Sequence, residues 1–167
     1  KDGILVGVYS EGIVGYGEAA PSARYGESVD SVAAFLSRVD VARFDNPFQL
    51  ESVLTYVDGL SNGDTAAKAA IDLALHDWIG RKLGIPLHQY WGLDKSKTPL
   101  TSFTIGIDTP QVIEEKVREA EAYPILKIKL GGENDEEIIR TIRRITKKTL
   151  RVDANEGWKV KEQAVEK

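Results

Sequence analysis

Two short runs of apolar and small residues open the chain, Ile4-Leu5-Val6-Gly7-Val8-Tyr9 and Ile13-Val14-Gly15-Tyr16-Gly17-Glu18, on either side of Ser10-Glu11-Gly12. Strand-forming runs around a glycine turn predict a β-hairpin. The period then changes. After a loop holding Pro21 and Gly26, Ser28 opens a segment whose Val29, Val32, Ala33 and Leu36 fall on one helical stripe. Asn46-Pro47 restarts the chain as a second helix carrying Leu50, Val53, Leu54 and Val57. The third helix is the most sharply drawn. Asp64 is placed to cap it, Ala67, Ala70, Ile71, Ala74, Leu75 and Trp78 trace a broad apolar face, and Gly84 and Pro86 stop it. Alanines on that face let a neighbouring backbone approach closely, so this helix is expected at the centre of its layer. His76 lies inside it and His88 beyond it; they share no metal-binding spacing and read as structural or surface residues.

From Thr98 the grammar is different. Leu100–Ile107 reads as a strand, and Thr109-Pro110 as an N-cap with proline at the first helical position, opening a helix to about Ala122. Strand Ile125–Leu130, a Gly131-Gly132 turn, a helix with Ile138, Ile139, Ile142 and Ile145, strand Leu150–Asp153 and the start of another helix follow. Strand and helix alternating every roughly 25 residues predict parallel βαβ units. The change of pattern near Asp94-Lys95-Ser96-Lys97 predicts two domains, residues 1–97 and 98–167. Parallel βα repeats permit a doubly wound sheet or a barrel. No glycine-rich nucleotide fingerprint or phosphate loop follows a strand, and Gly131-Gly132 alone is too little to count as one.

Composition narrows the function classes. The chain is 42% hydrophobic and 29% charged with a net charge of −4, and no Lys/Arg cluster interrupts that acidic balance, which argues against a nucleic-acid surface. No apolar run approaches a membrane span, so no membrane partner is expected. Without cysteine there is no disulfide or thiolate site. The chain opens on Lys1 rather than methionine and its last residues read as the first turns of a helix, so an internal fragment of a longer protein is expected. A cytoplasmic location is expected, with a signal peptide before Lys1 left open.

Candidate chemistry gathers at the ends of the last two strands. Side chains two apart on a strand share a face, which pairs Lys127 with Lys129 and Asp153 with Asn155. Like charge and burial both disfavour an ammonium ion, and a lysine held neutral is a general base. Solvated lysines guarding an edge strand would give the same pattern. The aspartate one strand–helix unit later tips the balance, because these groups all lie at carboxyl strand ends, where a barrel builds its active site.

Lys127-Ile128-Lys129 resembles the Lys-x-Lys of the enolase superfamily, in its muconate-lactonizing-type subgroup, and Asp153-Ala154-Asn155-Glu156-Gly157-Trp158 resembles the strand bearing that subgroup's first metal-binding aspartate. The alanine-rich helix Ala66–Asp77 is similar to a third signature of the subgroup. Thr101–Ile107 and Arg24-Tyr25-Gly26-Glu27-Ser28 look like the dipeptide epimerases of the alanine–glutamate type. Glu156 departs from relatives that carry glutamine there.

The resemblance implies an α/β fold: a modified (β/α)8-type, TIM-like barrel, partial here, with an N-terminal α+β capping domain. It implies a 1,1-proton transfer at the α-carbon of the C-terminal residue of a small dipeptide such as L-Ala-L-Glu. By resemblance Lys129 is the base on one face, and Lys127 helps keep it neutral and offsets oxyanion charge. Asp153 ligates a divalent ion, Mg²⁺, with Asn155 behind it, and Thr104 and Arg24 contact substrate; for Arg24 and Glu27 a solvated loop role is the alternative. Two more acidic ligands and an opposite-face lysine are expected beyond Lys167, and a recognition loop before Lys1, so the fragment alone is expected to be inactive. The full-length protein is expected to be a homo-oligomer. Other enzymes of the subgroup (an o-succinylbenzoate synthase, an N-acylamino acid racemase or a cycloisomerase) and a truncated inactive product are the alternatives.

Overall fold

A computed structural model describes residues 2–166, apart from the side chains of residues 163 and 166. The chain divides into two compact units, Lys1–Ser96 and Lys97–Lys167, each with its own apolar core.

In the first unit β1 (Ile4–Ser10) and β2 (Ile13–Ala19) form an antiparallel hairpin in which Ser10 faces Ile13. The two turn residues, Glu11 and Gly12, have φ of 50° and 77°, the left-handed pair that suits the twist of a two-residue hairpin. Helices α1 (Val29–Leu36), α2 (Leu50–Gly59), α3 (Thr65–Leu83) and the single turn α4 (Leu87–Tyr90) complete it. The alanine face of α3 meets β2 as its small residues predict. A Cβ added to Gly17 would lie 1.9 Å from the Ala70 carbonyl oxygen, and one on Gly15 2.1 Å from that of Ala74. Only glycine against alanine permits that approach. Trp78 is wholly buried beside it, its indole N–H donating to the Ser10 carbonyl at 3.0 Å.

Helix α1 starts where expected, after Ser28, whereas α2 begins at Leu50, beyond the Asn46-Pro47 expected to open it, because Pro47 and Phe48 form a turn instead. Ser28 and Ser31 form a reciprocal capping box at α1. At α3 the cap assigned to Asp64 belongs to Glu27 instead. Asp64 sits at the N-cap position in a left-handed conformation, φ 58°, and makes no capping bond; its Oδ2 accepts from the Ser61 hydroxyl at 2.8 Å. Glu27 Oε1 accepts from the Ala66 N–H at 3.0 Å and the Thr65 hydroxyl at 2.9 Å, so this side chain is a helix cap rather than a solvated loop residue. His76 is structural as read: Nδ1 lies 2.8 Å from Asp72 Oδ1 and the ring packs edge-on against Trp91.

The second unit is a parallel sheet in the order β3-β4-β5, built from β3 (Ser102–Ile105), β4 (Ile125–Lys129) and β5 (Thr149–Asp153). The first strand is shorter than its apolar run because both ends of that run open into loop. Helices α5 (Pro110–Glu119) and α6 (Asp135–Ile145) follow the first two strands, and α7 (Lys161–Glu166) follows the third. Ile105, Leu126 and Ile128 pack under Ile113, Val117, Ile138 and Ile142 of the helices. The other sheet face carries Thr104, Lys127, Lys129, Arg151 and Asp153. Among the described residues no helix is long and apolar enough to cross a membrane.

Candidate active site

Parallel register decides which polar groups on that second face become neighbours. Thr104, Lys127 and Arg151 stand side by side across the three strands, and one step nearer the carboxyl ends Lys129 stands beside Asp153. The two lysines therefore share a face, as the period of two requires. Their ammonium groups converge on a single oxygen: Asp153 Oδ2 lies 2.7 Å from Lys127 Nζ and 2.9 Å from Lys129 Nζ. The carboxylate offsets the repulsion between the two cations. Their side chains are 39% and 30% exposed, so this contact, more than burial, defines the environment of the pair.

Asp153 responds in kind. The Lys127 ammonium, then that of Lys129, then the Asn155 backbone N–H hold its carboxyl far below the usual carboxylate range. The N–H contact is to Oδ1, at 3.0 Å. Asn155 completes the cluster, its amide oxygen accepting from Lys129 Nζ at 2.6 Å. It arrives there by a different route from the shared strand face expected of it. The strand ends at Asp153, and Asn155 lies in the following turn with φ 46°, next to Glu156 at 64°. A left-handed turn, not the pleat, returns the amide to the lysine.

Thr104 is exposed on β3, beside Lys127 in register. Arg24 lies in the first unit, on the exposed single turn Ala23–Tyr25, with its guanidinium 6.0 Å from the centre of the Tyr25 ring. Two groups that the strand-end reading passed over also belong to the second unit's site. Arg151 adds a third cation to the face and donates to the Ser102 hydroxyl at 3.2 Å; its place two residues before Asp153 was the available signal. Asp135, the first residue of α6, is buried with 1% exposure, and no local signal in the sequence sets it apart from a solvated acid at a helix start.

Three cations and one carboxylate on an open strand-end face suit an anionic small molecule. For a metal ion the donors are of the right kind, since carboxylate and amide oxygens are the hard ligands that Mg²⁺ takes. Asp153 is already the point where positive charge is held. It fits as one ligand of such an ion; no cluster of three or more His, Cys, Asp or Glu side chains suited to a metal occurs among the described residues.

Comparison with known proteins finds relatives that match nearly the whole chain. An L-Ala-D/L-Glu epimerase of Bacteroides thetaiotaomicron is 52% identical over 164 residues, which cover 98% of this chain and 43% of that protein. An L-Ala-D/L-amino acid epimerase of Pedosphaera parvula is 45% identical over 160 residues, covering 93% of this chain and 45% of the relative. The crystal structure of a dipeptide epimerase from Cytophaga hutchinsonii, complexed with Mg and the dipeptide D-Ala-L-Val, superposes with a TM-score of 0.77 at 32% identity over 98% of this chain and 47% of its own. The chain thus spans about half the length of the relatives it matches. Its fold is that of the superfamily, an α+β N-terminal domain and part of a modified (β/α)8-type barrel. Residues 2–92 match the model of the mandelate racemase / muconate lactonizing enzyme N-terminal domain, and the chain belongs to that family.

Proposed function

We propose that the whole protein is a dipeptide epimerase, moving a proton at the α-carbon of the C-terminal residue of a dipeptide such as L-Ala-L-Glu. The observation that carries this reading is the convergence of Lys127 and Lys129 on Asp153 at the carboxyl ends of parallel strands. The names of the two relatives and the dipeptide in the Cytophaga structure support it.

The chemical difficulty is that the α-proton leaves a carbon already bonded to a carboxylate, so charge accumulates on two oxygens. Asp153 would hold a divalent cation, Mg²⁺, which supplies positive charge beside those oxygens. This chain's own groups do the rest. Lys129, nearer the strand end, takes the α-proton from one face as a neutral amine. Lys127, two residues deeper, presents a positive charge to the developing anion. Thr104, level with Lys127 on β3, contacts the substrate, and Arg24 contributes a further substrate contact. Asn155 orients the Lys129 amine through its amide oxygen. Both lysines stand on one face, so returning a proton to the opposite side needs a base elsewhere in the whole protein.

The test follows solvent-deuterium exchange separately from each epimer by NMR. Lys129→Ala is expected to abolish exchange from one epimer and to stop net epimerisation, while exchange from the other survives. Lys127→Ala slows both without that asymmetry. Equal loss from both epimers in a folded Lys129→Ala protein would count against the one-face assignment. Polarimetry on a panel of dipeptides and N-acyl amino acids fixes the substrate class, and preference for an N-succinyl amino acid would overturn the dipeptide reading.

A further inference from the structure

The turn that carries Asn155 is strained, and something must hold it. Asn155 and Glu156 are consecutive non-glycine residues with positive φ, a conformation that persists only where its surroundings over-determine it. The turn is fixed at both ends. At the start, the Leu130 N–H donates to the Asp153 carbonyl at 3.0 Å, continuing the ladder one step past the strand. At the far end stands Asp135. Its Oδ1 accepts from the Gly131 and Gly132 N–H groups, each at 2.9 Å, and its Oδ2 accepts the Trp158 indole N–H at 2.8 Å. One buried carboxylate therefore joins the loop after β4 to the loop after β5. The two backbones touch where it does so. A Cβ on Gly131 would meet the Ala154 carbonyl oxygen at 2.5 Å, and one on Gly157 would meet the Gly131 Cα at 2.5 Å.

The Gly131, Gly132 and Trp158 N–H groups are all donors, which matches a carboxylate, an acceptor at both oxygens. The position favours this. Asp135 is the first residue of α6, where the helix N-terminus stabilises negative charge. The carboxylate itself is buried, while the loops that it joins are partly open to solvent.

We propose that Asp135 is a positioning residue for the proton-transfer site: through Trp158 it sets the Asn155 turn, and through that turn the place of Asn155 and Asp153 against Lys129. This rests on the epimerase reading for its effect on turnover but not for the geometry itself. A misplacement of about 1 Å at a reacting group is enough to cost on the order of a hundredfold in rate. Outer contacts that orient metal ligands alter metal affinity by about 10–100-fold.

Two substitutions in the whole protein sever the same link from opposite ends. In Asp135→Asn the amide oxygen can still accept from the two glycines, but its NH₂ meets the indole N–H and that bond is lost. Trp158→Phe keeps the aromatic bulk and removes the donor. Each is expected to lower kcat by about tenfold or more with KM little changed, and to weaken Mg²⁺ binding by about tenfold in calorimetry. The double variant should be no worse than either single one. Ile142→Val, in the core of α6 away from the link, serves as the stability control. It should lower Tm without lowering kcat.

Rate losses no greater than that control at equal Tm, or fully additive losses, would overturn the proposal and leave Asp135 a structural residue. Absence of epimerase activity in the unaltered whole protein would instead sink the functional reading. The clasp would then be judged on crystal structures of the two variants. The contact between Lys129 Nζ and Asn155 Oδ1 should open beyond hydrogen-bond reach, and a contact kept in place would overturn the clasp.

Discussion

A carboxylate that holds two ammonium groups is the unit on which the site is built, and its titration exposes the arrangement. Asp153 is held below the ordinary carboxylate range chiefly by Lys127, then by Lys129 and the Asn155 N–H. Its value in the folded protein lies below that of the unfolded chain. The stability these contacts contribute is therefore fully present above about pH 4, and is lost as pH falls through the folded value. In the metal-free protein the ¹³C signal of the Asp153 carboxyl should titrate well below other aspartates, and Lys127→Ala should move its midpoint up toward theirs. An unmoved midpoint would show that Lys127 is not the main cause. With metal present the same residue is read differently. Asp153→Asn keeps the shape but removes the charged oxygen, so Mg²⁺ affinity in the whole protein should fall by more than about tenfold with the fold intact. Unchanged affinity in calorimetry would remove Asp153 from the ligand set.

Elements were legible where their cause is periodic, and illegible where it is a contact across the chain. The alanine stripe of α3 announced a close neighbour, and β2 supplies it through Gly15 and Gly17. The Lys127–Lys129 period of two placed both amines on one face, and the parallel register then brought Asp153 to them. Asn155 was assigned to that face by the same arithmetic and reaches the lysine by another path, because strand period stops applying where the backbone turns left-handed. Asp135 escaped notice because nothing local distinguishes a buried acid at a helix start from a solvated one. The start of α3 shows the same limit. Asp64 occupies the sequence position of a cap, but the donor it should satisfy is taken by Glu27, more than thirty residues earlier. Glu27→Ala should therefore destabilise the first unit by about 1 kcal/mol. Asp64→Asn, which tolerates the left-handed conformation, should be nearly neutral. Urea unfolding reads both, and a larger loss at Asp64 would return the cap to it.

At the scale of the whole molecule the two units differ in how completely they bury what they expose. In the first, the hairpin and α1, α2 and α3 enclose a core in which Val32, Phe35, Val53, Val57, Leu75 and Trp78 are each almost wholly buried. In the second, three parallel strands have one apolar face covered by α5 and α6 and one polar face that no described element of this unit covers. Parallel sheets are ordinarily covered on both faces. Among the described residues β3 and β5 each also leave an edge unpaired, which is a template for another chain. Ile107 and Val152 are about half exposed close to those edges. Parallel pairing closes long loops before any contact offsets the entropy, so the second unit alone is expected to fold more slowly and to be the less stable of the two. Residues 1–96 expressed alone should melt cooperatively as a monomer. Residues 97–167 expressed alone should bind a hydrophobic dye, melt without a sharp transition, and aggregate as concentration rises. Calorimetry and amide-proton NMR on the two pieces decide the matter. A sharp melt of monomeric 97–167 with dispersed amide resonances would show that α5 and α6 suffice to stabilise a three-stranded parallel sheet with one face left open.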